Sequence, residues 1–161
     1  QDWSNGKDIT LKNAKNIFKW KLEKKFAGIS TVLNEIGSHA FHLAYYLTGL
    51  EGRKLFADIK QYSKKIKFDT NAQVLVNYEN KGKGLFWIST TARGEVYGLK
   101  IRVFGNKGSI EWIQNNPNHL IYGNSKGATK KLERGFNESG YSKKFSRIKY
   151  GHPEGYLGTR V

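Results

Sequence analysis

The chain has 161 residues, with 28 Lys and Arg against 13 Asp and Glu for a formal charge of +15, and it contains no cysteine. That length suits one domain with a real hydrophobic core, taken here as residues 1–161, and the missing thiols exclude disulfides and thiolate metal sites. No apolar run approaches the roughly 18 residues of a membrane helix, and no basic segment followed by an apolar run opens the chain; a soluble, cytoplasmic protein without a membrane partner is expected.

Residues 1–30 lack a clean period. Gln1-Asp2-Trp3 looks like the end of a strand, Ser4-Asn5-Gly6 breaks the chain, and Lys7 to Ser30 reads as an irregular excursion or a poor helix. Long excursions inside compact domains are more often functional than idle. Asn34 to Gly49 (NEIGSHAFHLAYYLTG) follows as a helix. At 100° per residue, Ile36, Ala40, Leu43, Ala44 and Leu47 form an apolar stripe that seats it on a core. Glu35, His39, His42 and Tyr46 run beside that stripe as a polar line. Gly49 is the expected left-handed stop, and Asn34 the candidate cap.

From Lys54 the period changes to two. Lys54–Lys60 and Ala72–Tyr78 are predicted strands, the second with Ala72, Val74, Val76 and Tyr78 on one face. Lys81-Gly82-Lys83-Gly84 turns the chain into Leu85–Thr91, and Ala92–Glu95 turns it again into Tyr97–Phe104. The tight turn Gly105-Asn106-Lys107-Gly108 leads to Ser109–Ile113, and after the Asn115-Asn116-Pro117-Asn118 loop come two short strands, His119–Tyr122 and Ala128–Leu132. Strands joined by short turns without helical spacers pair antiparallel. The predicted fold is therefore α+β, an open, mostly antiparallel sheet with helices packed on one face. Its other face, carrying either Phe86 and Ile88 or Leu85 and Trp87, is apolar enough to be covered by a partner subunit. Asn137–Tyr150 reads as a basic, irregular tail, and Gly151–Leu157 as a loop delivering His152 just before a helix.

Glu35 and His39 stand one helical turn apart. A carboxylate bonded to an imidazole fixes the ring tautomer and raises its basicity, as a general base near neutral pH requires; an ordinary exposed i,i+4 pair has the same spacing. Glu35, His39 and His42 also have the spacing of a one-faced metal triad, but HExxH is absent and no further acidic ligand is evident, so no metal is expected. His119 and His152 stand in loops, the second stiffened by Pro153. The chain has no GxGxxG, GxSxG, Walker loop or CxxC, so any redox cofactor would be held by another domain. The lysines concentrate at Lys12–Lys25, Lys126–Arg134 and Lys143–Lys149, with Phe18, Trp20, Tyr141, Phe145 and Tyr150 interleaved as a stacking surface requires. No nucleic-acid-binding motif accompanies them, so nucleic acid is not expected as the partner.

Taken together, several segments resemble the C-terminal domain of the Gfo/Idh/MocA oxidoreductases, the glucose-fructose oxidoreductase and inositol dehydrogenase family. They are Gln1-Asp2-Trp3, Phe18-Lys19-Trp20-Lys21, Ala27-Gly28-Ile29-Ser30, Glu35-Ile36-Gly37-Ser38-His39-Ala40, Tyr46-Leu47-Thr48-Gly49, Val103 to Trp112, Asn116-Pro117-Asn118 and Gly151 to Tyr156. The resemblance implies a substrate-binding and oligomerisation domain whose cofactor, NAD or NADP, is bound by a separate N-terminal Rossmann domain and not by this chain. Hydride would pass between a sugar or polyol carbon and the nicotinamide. His39 matches the family's acid/base histidine, and Glu35 stands where the family has aspartate. Trp20-Lys21 matches a substrate-loop Trp-Arg, with a point charge replacing the planar guanidinium, and His152 matches a pocket-lining histidine. The chain contains no methionine and lacks the helix the family has after Tyr156-Leu157, so a piece of a longer enzyme is expected, inactive alone. A different class stays open, a non-catalytic binding or assembly module whose basic surface meets an anionic partner.

Overall fold

A computed structural model of the chain describes residues 20–62, 68–79, 81–95, 98–136 and 140–145. They fall into two compact units, one within residues 1–96 and the other within residues 97–161.

The first unit opens with a 3-10 turn, Trp20–Leu22, and the one-turn helix α1, Lys24–Ala27. A π-type turn, Leu33–Gly37, then runs into α2, Ser38–Thr48. Strands β1 (Gly52–Lys60), β2 (Asn71–Tyr78) and β3 (Lys83–Ser89) form an antiparallel sheet in the order β1-β2-β3. Alternation along β2 and β3 decides which side is buried. Ala72, Val76 and Ile88 lie on the inner face and are nearly inaccessible, whereas Leu75, Leu85 and Trp87 on the opposite face are more than half exposed.

Val32, Ala72 and Ile88 make the core, with Leu33, Ile36, Val74 and Phe86 packed against it. Gly37 permits the close approach of helix and sheet: a Cβ there would sit 3.2 Å from Ile88 Cδ1 and 3.4 Å from Leu33 Cδ2. Further along, the rings of Phe41 and Phe86 meet at 6.1 Å. The helix therefore packs through Val32, Leu33, Ile36 and Gly37, and the predicted stripe position Leu47 is exposed.

The predicted stop is observed. Gly49 has φ +66° and its N–H bonds Tyr45 O at 2.7 Å. The start differs from prediction. Asn34 lies within the π-type turn and its Nδ2 donates to Ala27 O at 3.3 Å. Ser30 is the cap, accepting at Oγ from Leu33 N–H (3.2 Å), and the Asp69 carboxylate accepts from Thr31 and Val32 N–H at 2.7 and 3.1 Å. A carboxylate outside the helix satisfies orphan donors as a local cap does, with charge added.

The second unit is a meander. Strands β4 (Lys100–Gly105), β5 (Gly108–Ile113), β6 (His119–Asn124) and β7 (Thr129–Glu133) pair antiparallel in chain order. Ile101, Val103, Ile110, Trp112, Leu120 and Leu132 share one face through this register. Gly108 turns the β4–β5 hairpin at φ +150° with its α-carbon against Gly123 O, where a Cβ would come within 2.2 Å. A short helix, α3 (Gly140–Phe145), stands where the sequence reads as irregular.

The α+β class and the antiparallel strand pairing are as predicted. Among the described residues, the strands of the first unit hydrogen-bond as a sheet of three and those of the second as a sheet of four. The expectations for Gln1-Asp2-Trp3 and for Gly151–Leu157 lie outside the described residues.

Candidate functional site

The predicted site residues that the structure brings together are Trp20, Lys21 and Glu35. The 3-10 turn at Trp20–Leu22 carries the first two, and Glu35 projects from the middle of the π-type turn. The Lys21 ammonium donates to Glu35 Oε2 and lies 5.3 Å from the centre of the Trp20 ring, within cation–π range. Both charged side chains are about a quarter to a third exposed, so their Coulomb attraction is only partly screened. Trp20 leaves 45% of its surface open. An indole face beside a paired cation and carboxylate can take an amphipathic ligand, its apolar side on the ring and its hydroxyls on the charges.

His39 stands in the first turn of α2 and is exposed. Among the described residues no hydrogen bond joins it to Glu35, whose carboxylate faces Lys21. The π-type turn closes with Ser38 N–H bonding Leu33 O, an i→i+5 ring that inserts one residue more than an α-turn. Uniform 100° spacing, which would stack Glu35 under His39, does not apply across it. Farther along, the His42 ring stacks on Tyr46 at 6.3 Å. Among the described residues no group of three or more His, Asp or Glu is gathered to hold a metal ion. His152 lies outside the described residues.

His119 proves to be the first residue of β6. Its Nδ1 meets Asn116 Oδ1, and its Nε2 meets Glu133 Oε1 at 3.1 Å, across the β6–β7 ladder. It ties the Asn116-Pro117-Asn118 loop to the sheet. The basic residues nearby have local partners too: Arg102 Nε lies 2.7 Å and Lys100 Nζ 3.4 Å from the Glu111 carboxylate, and Arg134 Nε donates to Asn118 Oδ1 at 2.9 Å.

Sequence reasoning missed Asp69. Ser30 Oγ donates to its Oδ2 at 2.8 Å, so one carboxylate gathers the hydroxyl and the two amides that begin the helix. Its neighbours are fixed. Phe68 and Thr70 are buried, Thr70 N–H bonds Lys60 O at 2.9 Å, and Thr70 O accepts from Thr90 N–H at 3.0 Å. The available signal was Ser30 standing three residues before Leu33 at the head of an apolar run; its partner 39 residues onward leaves no local trace.

Within the described residues, an antiparallel α+β scaffold thus sets the Trp20–Lys21 pair against Glu35, just ahead of the helix that bears His39. The chain belongs to the GFO/IDH/MocA C-terminal domain family, whose pattern it matches over residues 8–111. It is 32% identical over 106 residues to an uncharacterized oxidoreductase, YfiI, of Bacillus subtilis, spanning 65% of this chain and 27% of that protein. Among solved structures, the inositol dehydrogenase homolog complexed with NAD+ from Azotobacter vinelandii superposes with a TM-score of 0.81 at 30% identity, over 89% of this chain and 38% of the other. The inositol dehydrogenase homolog complexed with NADH and myo-inositol from the same organism gives 0.76, at 30% identity over 90% and 38%. The chain thus spans about a quarter to two-fifths of the length of these relatives.

Proposed function

We propose that this chain is the substrate domain of an NAD(P)-dependent dehydrogenase acting on a sugar, a polyol or a related hydroxyl compound. The observation that carries the reading is the Lys21–Glu35 ion pair beside Trp20, next to the helix that bears His39. Support comes from the relative whose solved complex holds NADH and myo-inositol.

The residues present do not fit the dinucleotide itself. The sequence has no glycine-rich strand-to-helix turn, and the N-terminus of the long helix, where a pyrophosphate could otherwise dock, is filled by the Asp69 carboxylate. The proposed reading places the cofactor on another domain of the complete enzyme. On the substrate side, His39 takes the proton of the reacting hydroxyl as general base, a role worth roughly 10²- to 10⁴-fold in rate. Trp20 offers its face to the C–H side of the substrate. Lys21 and Glu35 donate to and accept from its hydroxyls.

The same reading makes the outer face of the first unit's sheet a contact between copies of the chain. Phe56, Leu75 and Leu85 are directly opposite one another across β1, β2 and β3, and Trp87 lies beside them. Their exposures of 69, 54, 70 and 66% make a contiguous apolar patch of the kind that marks an interaction surface. The alternative, a basic module for an anionic partner, has less support, since the described cations around Glu111 and Asn118 are locally paired.

The test is made on the enzyme encoded by the complete reading frame, assayed for reduction of NAD+ and NADP+ with myo-inositol and a panel of sugars. Turnover with at least one polyol or sugar is expected, and His39→Asn should lower kcat by roughly 10²- to 10⁴-fold. The 161 residues alone should reduce neither cofactor. An H39N enzyme within a factor of about three of the parent, against that expected loss, would refute the assignment, as would turnover by the isolated chain.

A further inference from the structure

We propose that Asp69 is a positioning residue for the substrate site, fixing the π-type turn that aims Glu35 at Lys21. The inference deepens the function proposed above and rests on it. Asp69 itself touches none of Trp20, Lys21 or His39 among the described residues. It acts on the backbone that carries Glu35.

At the head of the helix the Asp69 carboxylate accepts from Thr31 N–H, Val32 N–H and Ser30 Oγ, while Ser30 Oγ accepts from Leu33 N–H. Those four residues are thereby fixed to the segment leading into β2. That segment is in turn bonded to the end of β1 through Lys60 and to Thr90 after β3, so the anchor cannot drift. Four residues beyond Leu33, the buried Gly37 seats the chain a second time, close against Ile88, whose Cδ1 would lie 3.2 Å from a Cβ there. Between the two anchors the chain closes the i→i+5 ring from Ser38 N–H to Leu33 O instead of an α-turn, and Glu35 is its central residue. Single π-type turns inside α-helices occur frequently at functional sites, and they persist only where the surroundings hold them. Here the Asp69 carboxylate and Ile88 are the groups that hold it. Release of the first anchor lets the turn relax toward α-helical spacing, which carries the Glu35 carboxylate away from Lys21 and toward His39.

Two readouts test this, one independent of activity. Asp69→Asn keeps the side-chain volume and Oδ1 as an acceptor, so the variant retains the fold, with far-UV circular dichroism as the check. In D69N, amide hydrogen exchange at Ser38, the donor of the i→i+5 bond, is expected to accelerate at least tenfold while amides in the middle of β2 change little. Unchanged protection at Ser38, or equal acceleration throughout, would overturn the proposal. In the complete enzyme, D69N and Glu35→Gln are combined in a double-variant cycle, with kcat and KM read separately. Each single variant is expected to lower kcat/KM by roughly ten- to a hundredfold through misplacement of the site, and the double variant to lose no more than the worse of the two. Losses that multiply would make Asp69 a stabiliser acting apart from Glu35, and overturn its positioning role. An enzyme that turns over no polyol or sugar would refute the proposed function instead, with Ser38 exchange still deciding whether Asp69 holds the turn.

Discussion

Replacing Asp69 with alanine removes the one group that accepts three hydrogen bonds at the head of the helix, at 2.7, 2.8 and 3.1 Å. Two of the donors are backbone amides of residues that are almost inaccessible, Thr31 at 5% and Val32 at 0% exposure. A buried donor left without a partner costs about 1–3 kcal/mol, and loss of a helix cap typically costs ~1 kcal/mol. Ser30 Oγ keeps its bond to Leu33 N–H, which spares one donor. The expected loss is about 3–5 kcal/mol, a large share of the roughly 5–15 kcal/mol that holds a domain folded. Urea unfolding followed by circular dichroism measures it: at a slope of about 1–3 kcal/mol/M, the midpoint should fall by at least about 1 M. Amide exchange at Thr31 and Val32 should approach that of a frayed end. A loss below about 1 kcal/mol, with those amides still protected, would mean that water or a neighbour replaces the carboxylate, and the role given to Asp69 would be refuted.

Three further outcomes follow from other parts of the structure. Gly108→Ala places a Cβ 2.2 Å from the Gly123 carbonyl at a φ of +150°; the β4–β5 hairpin must shift off β6, and a destabilisation of about 2 kcal/mol or more is expected in chemical unfolding. Leu75→Lys with Leu85→Glu alters the exposed sheet face and, if that face joins copies of the chain, shifts the molar mass measured by light scattering to that of a monomer, with a stability change of only about 0.5 kcal/mol per surface site. Tyr78 is half-buried over Gly84, and desolvation raises its phenol above the usual value of 10.0. Its folded-state pKa exceeds the unfolded one, so the contribution it makes is complete below pH ~10 and is lost as pH rises through the folded value; Tyr78→Phe should flatten that alkaline loss in pH-dependent melting relative to the parent.

Much of the architecture is written in short-range pattern. Alternation along Ala72–Tyr78 and Leu85–Thr91, with glycine and asparagine at the turns, identifies strands because side chains of a strand face opposite sides at every second residue; the observed strands are Asn71–Tyr78 and Lys83–Ser89. Tight turns leave adjacent strands no choice but to run antiparallel. Gly49 stops α2 because its left-handed φ is open to glycine at no cost. In the same local way, Trp20-Lys21 and Glu35 to His39 are recognisable as chemistry-bearing residues, since residue type and spacing belong to the sequence itself.

What those residues meet is not local. Phe86 and Ile88 face the helix while Leu85 and Trp87 do not, and period two alone treats both pairs alike; only the seating of Gly37 on Ile88 separates them. The carboxylate that holds the first amides of the helix comes from Asp69, 37 residues beyond Val32, so no window of sequence contains both partners. Glu35 pairs with Lys21, 14 residues earlier, because a π-type turn held from two sides replaces the regular pitch that spacing arguments assume. Local sequence carries the α+β class, the strands, the stop of the helix and the residue types of the candidate site. Tertiary structure decided the buried sheet face, the carboxylate at the head of the helix and the partner of Glu35, because each depends on contacts between segments that chain entropy keeps apart until the fold is made.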